Sequence, residues 1–432
     1  MNQVLIPGKN WKLSLAEIIL FLEARKIQFK VKAFSREFFI IQTDEKAGSL
    51  DAMNLGGTIK IGAIAKVIPT ELFVKAFVSK DREAREQITK EIALSNLPFG
   101  IPDKASAKYL FGVSVYCSAE ALRPAASSIQ RFIGSAIKND LAEREVRSEF
   151  MGFPRTRAQP QLTHVEVLKK KLVENKAEVL LCIDTTQAWL GITSGVHDPF
   201  EFQKRDVGKP NQRKIFAIPP RLARIMVNLS GCTPGKTLLD PFCGVGTILQ
   251  EALLSKAQTI GVDDSRWCVE AAQENLEWLS REYELEDQEF RVVKGDALKL
   301  RSIVGSSIDC IVTEPDLGPA LRDIPTASYA KKIVDNLTPL YFSFLRETYD
   351  TLRKDGRLVL VTPYLRTRSG KPMMMHIEEK AQELGFKMIY PFGSKEVFES
   401  YDTVKEEMRV MRRVVEMAER HKTGREIHVL QK

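Results

Sequence analysis

Along the first 95 residues the spacing of apolar positions changes several times. Ser14-Leu-Ala-Glu17 has the form of a capping box, a hydroxyl followed three residues later by a carboxylate. It stands ahead of the helix-spaced run Ile18, Ile19, Phe21 and Leu22. Residues 28–34 and 38–42 have the apolar content of strands. Gly56-Gly57 marks a turn before the apolar segment 59–68, and the charged residues 71–95 carry helical spacing. This pattern predicts a small α+β unit over residues 1–95.

A second unit is predicted over 96–185: a strand at 108–116, a helix at 127–140, and a strand at 177–183. Thr163-His-Val-Glu166 is another capping box, starting a helix that runs to about Asn175. Between them Arg144, Arg147, Arg155 and Arg157 alternate with Phe150 and Phe153, a mixture that suits a nucleic-acid face and a solvated loop equally. Residues 186–215 read as a linker, with a strand-like run at 188–194 and a polar connector at 197–210.

From residue 216 onward the pattern becomes regular. Pro219-Pro220 opens an amphipathic helix over 221–229, since proline suits a first helical turn. Strand-like runs then begin at Thr237 and Thr259, and recur at 290–293, 308–313, 357–362 and 387–390, with helix-like segments between them. Such alternation predicts a parallel, doubly wound sheet over 216–432, with ligands at the carboxyl ends of its strands. Residues 395–421 break the order: Val404, Met408, Met411, Val414, Val415 and Met417 recur at helical spacing, predicting a helical insertion before a last strand at 426–430. That helix is expected to pack on its own domain, with a dimer contact as the alternative, and the oligomeric state is not legible.

Composition narrows the picture. A chain of 432 residues, 44% hydrophobic and 28% charged, is long enough for several cored domains. A net charge of +8 is compatible with an anionic partner such as nucleic acid. The six cysteines stand singly with no C-x-x-C pair, and the five histidines show no ligand spacing, so reduced thiols and no metal are expected. No run of about 18 apolar residues occurs, which points to a soluble, cytoplasmic protein away from membranes.

Candidate chemistry gathers in residues 237–264. A short strand ends at Asp240, a turn carries Gly244 and Gly246, and helix-patterned residues follow. The glycines let the backbone approach a ligand closely, and the helix start offers unpaired N–H groups. Asp263, at the end of the next strand, suits a ribose diol, and Asp296, followed by Ala297, suits an adenine amino group. Position 249 is Leu rather than a third glycine, and no Gly-Lys-Ser/Thr is present, which disfavours dinucleotides and triphosphates.

Asp240-Pro-Phe-Cys-Gly-Val-Gly-Thr247 resembles motif I of the S-adenosylmethionine-dependent methyltransferases that modify RNA amino groups, in particular the archaeal and eukaryotic tRNA guanosine-10 N2-methyltransferases and their bacterial relatives. The likeness extends through Arg205-Asp206, Pro210, Pro219-Pro220-Arg221-Leu222-Ala223 and Asn228-Leu229 to Asp263, Asp296, Glu314-Pro315 and the terminal Arg425-Glu426-Ile-His-Val-Leu430. The resemblance implies a Rossmann-like methyltransferase domain preceded by ferredoxin-like and THUMP-like α+β domains, with tRNA or another structured RNA as partner. It implies S-adenosyl-L-methionine as cofactor, held by Asp240, Phe242, Gly244, Gly246, Asp263, Asp296 and Ala297, with Phe242 and Phe216 as packing or lid residues.

In that family the motif Asp-Pro-Pro-Tyr/Phe-Gly places a carboxylate and a backbone carbonyl on the amine hydrogens and a ring on the base. Here the segment is Thr313-Glu314-Pro315-Asp316-Leu317-Gly318, which implies Glu314, Pro315 and Asp316 as the catalytic set. Asp316 replaces the second proline and Leu317 replaces the ring. Two accounts follow: an active site in which Asp316 adds an acceptor and Tyr364 supplies stacking, or an RNA-binding protein that keeps the fold without methyl transfer. A DNA amino-methyltransferase would share the motif. Arg366 and Arg368 suit phosphate contacts and an exposed loop equally.

Overall fold

The computed structural model describes residues 1–44, 50–101, 108–152, 160–213, 217–285, 289–392, 397–398 and 414–432. The first half is built on one eight-stranded sheet. Its strands are β1 (Asn2–Pro7), β2 (Phe29–Phe34), β3 (Phe39–Thr43), β4 (Thr58–Pro69), β5 (Tyr109–Cys117), β6 (Ser148–Phe150), β7 (Glu178–Ile183) and β8 (Gln187–Val196), in the order β2-β3-β1-β4-β8-β7-β5-β6. Helices α1 (Trp11–Ala24), α2 (Thr70–Phe77), α3 (Arg82–Ala93), α4 (Ala126–Glu143) and α5 (His164–Lys169) are interspersed with these strands. The capping box at Thr163 forms as read, with Glu166 N donating to Thr163 Oγ1 and Thr163 N donating to the Glu166 carboxylate.

Within the expected linker at 186–215 the strand-like run read at 188–194 forms, and a helix forms in the polar connector. Residues 187–196 are β8, which pairs antiparallel with both β4 and β7 and so joins the two predicted units edge to edge. Buried Lys60 of β4 pairs with the Glu178 carboxylate of β7, which also accepts from Ser114 Oγ of β5 at 2.6 Å and Thr193 Oγ1 of β8 at 2.7 Å. One satisfied buried ion pair thus ties four strands. Within the expected polar connector, α6 (Pro199–Val207) forms because Pro199 occupies its first turn and Asp198 accepts from Phe200 N and Glu201 N.

The second half carries a nine-stranded sheet. In chain order its strands are β9 (Thr237–Asp240), β10 (Gln258–Asp263), β11 (Phe290–Lys294), β12 (Ile308–Thr313), β13 (Leu352–Leu365), β14 (Met373–Met374), β15 (Lys387–Met388), β16 (Val414–Glu416) and β17 (Thr423–Gln431). The main path runs β11-β10-β9-β12-β13-β17-β15. The first five strands of that path are parallel, and β17 then pairs antiparallel with β13. Helices α7 (Pro220–Leu229), α8 (Thr247–Leu254), α9 (Arg266–Glu282), α10 (Leu300–Val304), α11 (Ala327–Thr351) and α12 (Glu378–Glu383) complete the α/β order.

Residues 399–413 of the expected helix at 395–421, including Val404, Met408 and Met411, lie outside the described residues, as do Phe153, Arg155, Arg157 and Phe216. Val414 and Val415, read as part of that helix, belong to β16. Their antiparallel register with Ile427 and Glu426 pairs the backbone as a strand, and Val414 is buried there.

The halves meet through α1. Its N-cap is Asn10, whose side chain accepts from Leu13 N, so Ser14 and Glu17 sit one turn inside the helix and the capping box read there does not form. Ser14 Oγ instead donates to Gly57 O at 2.8 Å. The Glu17 carboxylate accepts from Gly56 N and Gly57 N at 2.8 Å each and from Asn228 Nδ2 of α7 at 2.7 Å. Arg221 Nε of α7 donates to Gly56 O at 2.8 Å. A Cβ on Gly56 would stand 2.2 Å from Arg221 O, so only glycine allows this approach. Around these polar contacts one apolar cluster runs from Leu15, Ile18 and Ile19 of α1 through Leu222 and Met226 of α7 to Leu249 and Leu253 of α8.

Candidate functional site

Four parallel strands deliver their carboxyl ends to one place. β9 ends at Asp240, β10 at Asp263, β11 just before Gly295-Asp296, and β12 just before Glu314. Between β9 and α8 the chain turns through Gly244 at φ +52° and Gly246 at φ +85°, both left-handed. Gly246 is the N-cap of α8, and a Cβ there would lie 3.3 Å from that of Ala272 on α9. The turn is pinned from β10: Asp263 Oδ2 accepts from Gly244 N at 2.9 Å, while Oδ1 accepts from Ser265 N at 3.0 Å. Each Asp263 oxygen then keeps a lone-pair site for a further donor.

A cavity of about 690 Å³ opens beside this turn, lined among others by Phe242, Asp263, Asp296, Ala297, Glu314, Pro315 and Asp316. Seven of the sequence-assigned residues therefore share one wall. Asp240 and Gly244 line a smaller adjoining cavity of about 50 Å³, which also touches Phe242 and Glu314. Gly246 shapes the turn and lines neither. Asp296 Oδ1 accepts from Leu298 N at 2.9 Å, fixing its carboxylate at the cavity rim. Phe242 meets Phe344 of α11 edge-on at 5.2 Å between ring centroids, so its ring is held by packing.

Asp240 is the buried acid of the group. Its Oδ1 accepts from Thr313 Oγ1 at 2.7 Å and Phe242 N at 3.2 Å, clamping the ends of β9 and β12 together. Burial pushes its pKa up to about 7, the Asp263 and Glu314 charges add to the rise, and the two hydrogen bonds oppose it.

The motif that departs from the family pattern is reorganised. Leu317, in the ring position, is buried in the core, while Asp316 is exposed. Asp316 Oδ1 accepts from Gly318 N and its carbonyl accepts from Tyr341 OH, both at 2.9 Å. Tyr364, expected as a replacement ring, pairs through β13 with Gly424 and is not on the cavity wall. The exposed ring on that wall is Trp267, near the Asp263 end. Glu314 is bound by Arg425 of β17, whose Nε and Nη2 donate to its two oxygens.

Sequence reasoning missed Trp267, Arg213 and the Arg425 contact. Arg213 lines both cavities, and its Nη1 lies 3.7 Å from where a Cβ on Gly244 would be. Only its position shortly after Pro210 hinted at a role. Away from this region, ligand atoms of Glu378, Glu426 and His428 lie within 4.8 Å of one another, a grouping that singly spaced histidines do not reveal. The described cysteines are free and buried, as expected. Among the described residues no helix is long and apolar enough to cross a membrane.

A family model for the RMKL-like methyltransferase domain matches residues 210–381. The tRNA (guanine(10)-N2)-dimethyltransferase of Methanothermobacter thermautotrophicus is 35% identical over 159 residues, 36% of this chain and 42% of that protein. The enzyme of the same name from Pyrococcus abyssi is 32% identical over 176 residues, 40% and 47% of the two chains. The chain thus spans less than half the length of these two relatives. A protein of Methanothermococcus thermolithotrophicus named probable tRNA (guanine(10)-N2)-dimethyltransferase is 31% identical over 148 residues, 33% of this chain and 79% of that one. The crystal structure of TrmN from Thermus thermophilus superposes over the whole of both chains with a TM-score of 0.51 at 16% identity, a likeness of fold. The chain belongs to the family of the tRNA (guanine(10)-N2)-dimethyltransferases, with the RMKL-like methyltransferase domain in its second half.

Proposed function

We propose that the chain is an S-adenosylmethionine-dependent methyltransferase that modifies an exocyclic purine amine in RNA, with N2 of guanosine in tRNA as the leading acceptor. The observation carrying this reading is that Asp263, Asp296 and Glu314, from the ends of β10, β11 and β12 on either side of β9, share the wall of one cavity of about 690 Å³ beside a left-handed glycine turn. The donor set suits the cofactor: Asp263 for the ribose diol, Asp296 for the adenine amine, Trp267 and Phe242 for apolar contact, and Arg213 for a carboxylate. When bound, S-adenosylmethionine supplies an electrophilic methyl group on a cationic sulfonium.

Glu314 and a backbone carbonyl of the segment 314–316 accept the amine hydrogens, which favours a nitrogen lone pair localised toward the methyl group. Phe242, Pro315 and Leu317 exclude water from that end. The eight-stranded sheet of the first half is the proposed tRNA-holding region, and the net charge of +8 over the whole chain suits an anionic partner. The test is nucleoside mass spectrometry of tRNA from deletion and parent strains. Loss of a methylated guanosine supports the reading; an unchanged profile, with purified protein labelling DNA instead, selects the DNA enzyme.

The Asp240 carboxyl makes cofactor binding pH-dependent. With a pKa of about 7 it is mostly neutral at pH 6 and mostly ionised at pH 8. A cationic ligand binds the ionised form better, so affinity for S-adenosylmethionine should rise over that interval, by up to about tenfold, as the ionised fraction grows. Calorimetric titration checks it: Asp240→Asn should flatten the dependence, and a flat wild-type profile would refute the assignment.

A further inference from the structure

Arg425 lies on β17, opposite Pro363 of β13, and β13 separates it from β12, whose end carries Glu314. Two strand spacings, about 9–10 Å, therefore lie between the backbones of the two residues. The long side chains close that gap. Arg425 Nη2 donates to Glu314 Oε1 at 3.0 Å, Nε donates to Oε2, and Nη1 donates to Glu416 Oε2 at 3.4 Å. Glu416, on β16, faces Arg425 in register. The side chains of Arg425 and Glu314 are 11% and 9% exposed, so the fork is shielded from water.

We propose that Arg425, steadied by Glu416, is a positioning residue that locks the Glu314 carboxylate in the orientation the acceptor amine needs. The inference rests on the methyltransferase reading above. It also gives the Glu at this position a physical reason: its extra C–C bond, about 1.5 Å of reach, lets the carboxylate meet a guanidinium on a non-neighbouring strand. Both carboxylate oxygens are engaged by the fork, so rotation about the last side-chain torsion is arrested. Each oxygen still has lone-pair capacity for an amine hydrogen.

The experiment measures label transfer from tritiated S-adenosylmethionine to bulk tRNA from a deletion strain, with cofactor affinity measured by calorimetry on the same preparations. Arg425→Met is expected to lower kcat about 100-fold, while KM for tRNA and cofactor affinity stay within about threefold. Arg425→Lys should recover part of the loss, because an ammonium restores the charge but not the planar fork. A methionine variant that turns over within about twofold of wild type, or one whose cofactor affinity falls in step with kcat, overturns the positioning role and leaves the methyltransferase reading standing. A wild type that labels no tRNA overturns that reading and the positioning role with it.

Discussion

Glu314→Ala is expected to transfer methyl groups about 10²–10³-fold more slowly than wild type, with affinity for S-adenosylmethionine within about threefold. A purine exocyclic amine is a poor nucleophile because its lone pair is delocalised into the ring, and acceptors for its hydrogens offset that. Glu314 is the carboxylate on the cavity wall that Arg425 holds by both oxygens. Asp316, which also lines the wall, is exposed and has its Oδ1 engaged by Gly318 N, so it is a poor substitute. Removing Glu314 leaves Arg425 with Glu416 as its remaining carboxylate partner at 3.4 Å, so some stability is lost as well. Two variants separate these effects. Glu314→Gln keeps size and fold while losing charge, and should fall nearly as far. Glu314→Asp restores the residue type of the related motif yet cannot reach the fork, and should lose about 100-fold, as removal of the fork from the Arg425 side does. Single-turnover assays on cofactor-saturated protein make the comparison. If the alanine variant keeps turnover within about twofold, Glu314 is not the amine's acceptor.

What the sequence made legible was local. Thr163 and Glu166 formed their capping box because both partners lie within one turn. Asp240, Gly244, Gly246, Asp263 and Asp296 could be located because a βαβ unit delivers consecutive strand ends to one edge. Ser14 and Glu17 show the limit: the same spacing that caps a helix sits here inside one, and its polar atoms serve Gly56, Gly57 and Asn228. No local pattern distinguishes the two uses, since the partners lie up to 211 residues away. Arg425 and Glu314, 111 residues apart, meet only after β17 has paired with β13. The strand character of β8 was legible in its own residues, but its place was not, because that is fixed by β4 and β7. Val414 and Val415 fit a helical period and a strand period alike, and the pairing partner decided between them.

Glu17→Ala is expected to destabilise the whole chain by about 3–5 kcal/mol, since it leaves three buried neutral donors without their acceptor. The carboxylate is fully buried and takes Gly56 N, Gly57 N and Asn228 Nδ2. Alanine would leave these three donors without that acceptor, at about 1–3 kcal/mol each before relaxation. The loss is partly offset because burial holds the Glu17 pKa above its ordinary value, so the ionised native carboxylate already carries a desolvation cost. The sign of the pH dependence follows. A folded pKa above the unfolded one means that the native state binds the proton more tightly, so this group's contribution is largest below the unfolded pKa. It declines as pH rises from there toward the raised native value. Glu17→Ala should therefore remove a downward slope of stability with pH as well as lowering its level. Glu17→Gln, which keeps the volume but turns one acceptor into a donor facing a backbone N–H, should fall between wild type and alanine. Guanidinium unfolding followed through Trp11, in the first turn of the same helix, reads both halves because α1 packs on α7. An alanine variant unfolding within about 0.5 kcal/mol of wild type would mean that the apolar cluster alone joins the halves, and that the Glu17 network adds nothing to the junction.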